Sequence, residues 1–215
     1  MISSADSRAL REPWEDITAQ RAASHLGIWL FSASELLFFG AIFAGYAVYH
    51  YLWPAGFRAG GAETELVYGV ANTVVLLISS ACAALASASA RFPAFGSLSR
   101  LCLWSAAALG LAFLCIKGLE YNADIQHHLV PGDDFGLSEE GAQIFFAFYW
   151  SATGLHAVHL VIGIGLLVRL ALAGRRDPQW YAVTPAVDVT TLYWGFVDVI
   201  WTILFVLIYL PGRTL

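Results

Sequence analysis

The chain has 215 residues, of which 59% are hydrophobic and 13% are charged, and its mean hydropathy is +0.66. This apolar content exceeds the ~45–50% that is usual for soluble domains, so the composition excludes an ordinary water-soluble protein and predicts a membrane protein. The net charge is −5, which together with this composition gives no sign of a nucleic-acid partner. The cysteines lack the spacing of a disulfide framework, a zinc site or a copper-thiolate pair.

Five long apolar runs follow one another along the chain. Because a hydrocarbon core of ~30 Å requires ~20 apolar residues per helix, they predict an all-α, polytopic membrane helical bundle. We expect a polar N-terminal tail at residues 1–24, with no signal peptide, and a transmembrane domain at residues 25–215. The predicted helices cover about residues 26–53, 66–90, 101–128, 142–172 and 187–210.

The ends of the predicted helices and the arginines between them indicate the topology. Pro54 and Gly56 are expected to stop the first helix, and the third is expected to project beyond the bilayer before Pro131. Seven arginines fall in one set of loops and two in the other, and cytoplasmic loops carry the excess of basic residues, so the N-terminus is predicted to be cytoplasmic. The larger set is Arg8, Arg11, Arg21, Arg91, Arg100, Arg175 and Arg176, and the smaller set is Arg58 and Arg213.

Glu35 is an isolated acid in the first helix. At a rise of ~1.5 Å per residue it lies near the bilayer centre, where an ionised carboxylate costs at least ~2.5 kcal/mol. We therefore expect Glu35 to face protein and to be protonated or paired. Two interpretations stay open: a structural acid with a hydrogen-bond partner, or a group that exchanges protons.

Two histidines, His156 and His159, lie one turn apart in the fourth helix and share a face with Ala152 and Gly163. A haem iron held from both sides needs imidazoles on opposite faces, which adjacent turns of one helix cannot supply. A two-histidine metal site would need further ligands from other spans. We therefore favour hydrogen bonding between helices over a metal site.

A polar stripe continues the third helix through Lys117, Glu120, Tyr121 and Asp124. Lys117 and Glu120 are spaced to pair at i and i+3. The simplest interpretation is a lysine that extends towards the membrane interface beside a neutralising glutamate.

Asp198 is a second isolated acid, in the fifth helix. Trp194 and Trp201 flank it, one turn away on either side. Their indole N–H groups could donate towards the carboxylate, although packing alone also explains both rings.

Five stretches in the same order resemble subunit III of cytochrome c oxidases and related quinol oxidases: GIWLFSASELLFFGAIFAGY, ANTVVLLISSACAAL, KGLEY, TGLHAVHLVIG and YWGFVDVIW. Two positions depart from the pattern, since Lys117 stands where many relatives have glutamine and Gly195 where many have histidine. The chain is similar to the five-helix members of that family. The residues that match its marked positions are Glu35, Asn72, Ser79, Glu120, Tyr121, His156, His159, Trp194, Asp198 and Trp201.

The resemblance implies a non-catalytic subunit of a respiratory haem–copper oxidase in a bacterial cytoplasmic membrane. It implies partner subunits I and II that carry the haems and copper, a complex that reduces oxygen and pumps protons, and no cofactor on this chain. Bound phospholipid is a further implication, with Arg169 as the candidate headgroup contact.

Three alternatives accompany this interpretation. The chain could belong to a quinol oxidase, or be an accessory protein of nitric oxide reductase with the same fold. A stand-alone transporter or proton channel is a third possibility. The sequence argues against it, because many transporters contain an inverted repeat and none is found here.

Overall fold

The computed structural model describes residues 14, 16–175, 180–211 and 213. Among these residues, five helices are long and apolar enough to cross a membrane, which confirms the all-α, five-helix prediction. Arg8, Arg11, Arg176 and most of the predicted tail lie outside the described residues. The helices are α1 (Ile17–Leu52), α2 (Pro54–Glu63), α3 (Leu66–Ala90), α4 (Gly96–Gln126), α5 (Ala142–Ala173), α6 (Trp180–Val183) and α7 (Ala186–Tyr209).

Helix α1 begins at Ile17, well before the predicted start near Leu26. Asp16 explains the early start, since its Oδ1 accepts a hydrogen bond from Thr18 N at 3.1 Å and so satisfies a free donor of the first turn. Hydrogen bonds from Thr18 also hold the pKa of the Asp16 carboxyl below its usual range. The last third of the predicted tail, residues 17–24, is therefore helical.

The first helix ends at Leu52, as the stop at Pro54 predicted, but Pro54 then begins a second helix that the sequence did not predict. It occupies the first turn of α2, where the missing N–H of proline is not needed and its fixed φ suits a helix. The close approach of α2 to the backbone at Glu140 to Ala142 leaves no room for a side chain at Gly56. The interruption after the first helix is therefore a change of direction, and not a loop.

Helix α4 begins at Gly96, after a short 3₁₀ turn at Pro93–Phe95, and not near Leu101 as predicted. It ends at Gln126, two positions before the predicted end, because His128 takes a left-handed conformation with φ of 55°. His128 N then donates to Ile125 O at 3.2 Å and Leu129 N donates to Asp124 O at 2.9 Å, as in a Schellman cap.

The chain divides into two compact units. Unit 1 is formed by Met1–Ser34, Leu77–Leu111 and Leu160–Phe196, and unit 2 by Glu35–Leu76, Ala112–His159 and Val197–Leu215.

The core of unit 1 is built around the indole of Trp194, which is 1% exposed. Its ring packs against Gly110 and Gly163, and Trp194 Nε1 donates to Ser79 Oγ at 3.1 Å. In the same unit, the hydroxyls of Ser89 and Ser99 lie 2.7 Å apart, and Tyr181 donates to Leu170 O at 3.1 Å. Burial raises the pKa of the Tyr181 phenol.

Unit 2 has an aromatic core. Tyr46, Phe57 and Phe145 contact one another edge to face, with ring centroids 5.0 to 6.3 Å apart. The Tyr46 hydroxyl also donates to the carbonyl of Leu207. Among the candidate site residues of unit 2, Glu35 shares α1 with this core and the two histidines share α5, whereas the others lie on α3, α4 and α7.

Candidate functional site

Glu35 of α1 and His159 of α5 form a contact between helices in unit 2. His159 Nε2 lies 3.1 Å from Glu35 Oε2, and the two side chains are 13% and 20% exposed. The Glu35 carboxyl thus faces protein, as its cost in the membrane requires. The ring of His159 also packs edge to face on Phe39, at 5.5 Å between centroids.

The other ring nitrogen of His159 determines where the protons are. Nδ1 lies 2.9 Å from the carbonyl oxygen of Leu155, which can only accept a hydrogen bond, so Nδ1 carries a proton. The contact between Nε2 and Glu35 Oε2 then needs one further proton, on either the imidazole or the carboxyl. Glu35 and His159 together hold this shared proton, in the form of an ion pair or a neutral pair.

His156 lies one turn before His159 and has a different environment. Its ring packs on Phe113 and Trp201, with centroids 5.6 and 5.3 Å away. Among the residues that the structure describes, neither of its ring nitrogens has a hydrogen-bond partner. Of the two histidines, His159 makes a hydrogen bond between helices and His156 packs among aromatic rings.

Three members of the polar stripe of α4 are buried in unit 2, and the fourth, Tyr121, is half-buried. Lys117 Nζ lies 3.1 Å from Glu120 Oε2, as the spacing predicted, but Lys117 is 2% exposed, so the predicted extension towards the interface is wrong. Its ammonium donates instead to the hydroxyls of Tyr149 at 3.0 Å and Tyr209 at 2.9 Å. These two phenols solvate the ammonium in place of water.

Two further members of the stripe contact α5. The hydroxyls of Tyr121 and Thr153 lie 2.6 Å apart, and Tyr149 donates to Asp124 Oδ2 at 2.5 Å. Tyr149 and Tyr209 are site residues that the sequence did not predict. The spacing within α4 could not reveal them, because they come from other helices.

The two tryptophans that flank Asp198 donate to hydroxyls on α3, and not towards the carboxylate as one interpretation suggested. In unit 2, Trp201 Nε1 donates to Thr73 Oγ1 at 3.1 Å. In unit 1, Trp194 Nε1 donates to Ser79. Each indole therefore ties α7 to α3 within its own unit.

Asn72 is fully buried beside Thr73, and in the described part of the chain both polar atoms of its amide lack a hydrogen-bond partner. An amide buried in this way costs free energy.

Arg169 lines a groove of about 590 Å³ in unit 1. Ile28, Phe31 and Leu166 supply apolar walls, and Gln20 adds a polar group. A guanidinium beside an apolar groove suits a phospholipid headgroup and its chains. The role of Arg169 in lipid binding stays a prediction.

Comparisons with known proteins agree on one family. The sequence profile described as "Cytochrome c oxidase subunit III" matches residues 15–213. The chain is 28% identical to cytochrome c oxidase subunit 3 of Alkalihalophilus pseudofirmus, over 96% of this chain and 95% of that protein. It is 32% identical to cytochrome bo(3) ubiquinol oxidase subunit 3 of Pseudomonas aeruginosa, over 86% of this chain and 84% of that protein.

A third relative has a different organisation. The protein of Aeropyrum pernix named "Heme-copper oxidase subunit I+III" is 28% identical over 85% of this chain, and the match covers 22% of that longer protein. Its name thus assigns both subunit I and subunit III to one polypeptide.

Proposed function

Since this chain belongs to the cytochrome c oxidase subunit III family, we propose that it is the non-catalytic third subunit of a respiratory haem–copper oxidase. In this proposal it lies in a bacterial cytoplasmic membrane with its N-terminus in the cytoplasm. Subunits I and II carry the haems and copper, and this chain stabilises subunit I and supports its proton uptake. Relatives are named for both cytochrome c and ubiquinol oxidases, and the proposal covers both donors because the donor site belongs to the partner subunits.

Contact with subunit I is supported by the Aeropyrum pernix relative, in which a region like this chain shares a polypeptide with subunit I. Helix α1 offers an apolar surface for such a contact. In its most apolar stretch 11% of residues are buried within the chain, and Trp29, Leu30 and Leu37 are 65%, 63% and 76% exposed. Lipid or a partner helix must cover this surface in the membrane.

The observation that carries the proton role is the contact between Glu35 and His159. Their 3.1 Å contact holds one shared proton, and neither side chain is completely buried. In this pair the shared proton can lie on the carboxyl or on the imidazole while the pair as a whole stays neutral, so the carboxyl keeps a partner in either form. We infer that this pair helps to keep subunit I supplied with protons and so protects it from damage during turnover.

Co-purification tests the assembly. A tagged copy of the chain, extracted in mild detergent, should bring with it subunits that contain haem and copper, whereas the isolated chain should be colourless. A stoichiometric haem or metal in the isolated chain would contradict the non-catalytic role.

Replacement of Glu35 tests the proton role. In the assembled oxidase, Glu35→Gln keeps the size of the side chain but cannot ionise, so proton uptake should slow and inactivation per turnover should rise. His159→Gln keeps a nitrogen donor near the position of Nε2 and should give the same defect, because neither variant keeps both of the groups that share the proton. Turnover, proton uptake and inactivation are measured at several pH values.

Glu65→Gln is the matched control, since it removes an exposed carboxylate from the same unit. It should behave like the wild type. Wild-type kinetics in Glu35→Gln, with normal haem and copper content, would refute the proton role. Loss of the subunit from the Glu35→Gln complex would indicate a structural role instead.

A further inference from the structure

A network of charged and phenolic side chains in unit 2 has no part in the function proposed above. Lys117, Glu120 and Asp124 come from α4, Tyr149 from α5 and Tyr209 from α7, and all five are buried. Charged groups at this depth are expensive unless they are paired, and an uncompensated one costs several kcal/mol. The net charge of this network therefore decides how strongly it holds an additional proton.

The positions of most protons follow from the distances. Lys117 Nζ donates to the oxygens of Tyr149 and Tyr209 and forms an ion pair with Glu120 Oε2. The Oε2 atom has no hydrogen bond within the described chain, so its 3.1 Å contact with Nζ is electrostatic and poorly directed. Tyr209 donates to Glu120 Oε1 at 2.6 Å.

The hydroxyl proton of Tyr149 has two possible acceptors. Its oxygen lies 2.5 Å from Asp124 Oδ2 and 3.1 Å from Glu120 Oε1, and a phenol can donate to only one of them at a time.

The network has one cation for two carboxylates. Lys117 balances Glu120, and Asp124 adds a second negative charge. Two groups outside the network also interact with Asp124. They are the phenol of Tyr121, whose hydroxyl bonds to Thr153, and the imidazole of the exposed His127. With Asp124 ionised the buried network carries a net charge of −1, and a single proton makes it neutral.

We propose that Asp124 and Tyr149 form a reversible site for one proton. When the proton is bound, the Asp124 carboxyl donates to the Tyr149 oxygen, and the Tyr149 hydroxyl turns its own proton to Glu120 Oε1. When the proton leaves to water, the Tyr149 hydroxyl turns back and donates to the Asp124 carboxylate. Both states keep every proton in a hydrogen bond, so loading requires only the rotation of a hydroxyl.

The geometry favours a proton over a metal ion as the occupant. The ammonium of Lys117 already lies among the phenol oxygens and Glu120, so a metal ion would have to displace it. A proton needs only one oxygen lone pair. Asp124 is 5% exposed, against 2% for Lys117 and 1% for Glu120, and lies in the last turn of α4, so it is the point of entry.

Infrared difference spectroscopy on the detergent-solubilised full chain, with whatever subunits accompany it, tests the site. Wild type and Asp124→Asn are compared over roughly pH 4 to 9, which spans ordinary and buried carboxyls. The wild type should show the carbonyl stretch of a protonated carboxylic acid, which shifts in D₂O and disappears as pH rises. Asp124→Asn should lack this band, and Asp134→Asn, which changes an exposed loop acid, should keep it.

Two further variants separate proton binding from a merely structural network. Tyr149→Phe removes the partner of the acid, so the frequency of the band should change. Lys117→Gln removes the cation that favours the ionised carboxylate, so the variant should retain more of the band at the pH where half of the wild-type band has gone.

Several results would overturn the site. These are a full band in Asp124→Asn, no acid band in the wild type at any pH, or an unchanged frequency in Tyr149→Phe. A band whose size depends on the sodium or potassium concentration at constant ionic strength would also overturn it. The experiment does not depend on the role of Glu35, which can fail independently.

Discussion

The packing of Trp194 against glycine gives a sharp test of the structure of unit 1. A Cβ added at Gly163 would lie 2.8 Å from Trp194 Cε3 and 2.9 Å from Cζ3, closer than carbon atoms can pack. A Cβ added at Gly165, two positions further along α5, would meet nothing within 4 Å. Gly163→Ala and Gly165→Ala therefore make the same chemical change with and without a clash.

The expected size of the effect follows from two terms. Replacing glycine by alanine inside a helix stabilises it by roughly 0.5–1 kcal/mol, and this gain applies at both positions. Excess volume in a packed core costs typically about 1–3 kcal/mol, and this loss applies only at Gly163. The difference between the two variants should therefore be about 1–3 kcal/mol, with Gly163→Ala the less stable.

The thiol of Cys102, which is buried in unit 1, reports unfolding. In a background with Cys82→Ser and Cys115→Ser, labelling of Cys102 is followed on heating, and each kcal/mol shifts the midpoint by about 2–4 °C in a chain of this size. Equal midpoints for the two variants would refute the packing of Trp194. The penalty at Gly163 should also shrink when Trp194→Phe gives the ring more space.

Two other predictions concern unit 2. Lys117→Met leaves Glu120 and Asp124 without their cation and should lower the free energy of unfolding by about 3–5 kcal/mol, measured by thermal unfolding. Adding Glu120→Gln should recover part of the loss. A Lys117→Met variant as stable as the wild type would contradict the buried ion pair. Tyr46→Phe should lower the free energy of unfolding by about 0.5–1.5 kcal/mol, because it removes the hydrogen bond that the Tyr46 hydroxyl donates to the Leu207 carbonyl. In a helix this carbonyl would accept from the N–H four residues later, but that residue is Pro211, which has no N–H. Tyr51→Phe, at a side chain that is 85% exposed, should change nothing, and an equal loss there would show that the Leu207 contact is unimportant.

Hydropathy predicts the long helices because each apolar run has to span the same hydrocarbon thickness. It places their ends less well, because ends depend on local hydrogen bonds. The cap at Asp16 and the left-handed turn at His128 move two boundaries without changing the apolar content. Pro54 indicates where the first helix stops, but not that a new helix starts there, although proline is well suited to the first turn of a helix.

Spacing along one helix predicts the ion pair of Lys117 and Glu120, because both residues lie on one face. It cannot predict depth or partners from other helices. The burial of Lys117 depends on Tyr149 and Tyr209, which lie on α5 and α7. The same limit explains Trp201, whose donor finds Thr73 on α3 and not the nearby acid of its own helix.

The bond between His159 Nδ1 and the Leu155 carbonyl restricts what this histidine can do. An imidazole that relays protons takes one up at one nitrogen and releases one from the other. Here one nitrogen faces a main-chain oxygen that has no proton to give and no basic site to receive one. In the proposed proton role, exchange therefore has to begin and end on the Glu35 side, so the pair would act as a local store of one proton and not as one step in a longer relay.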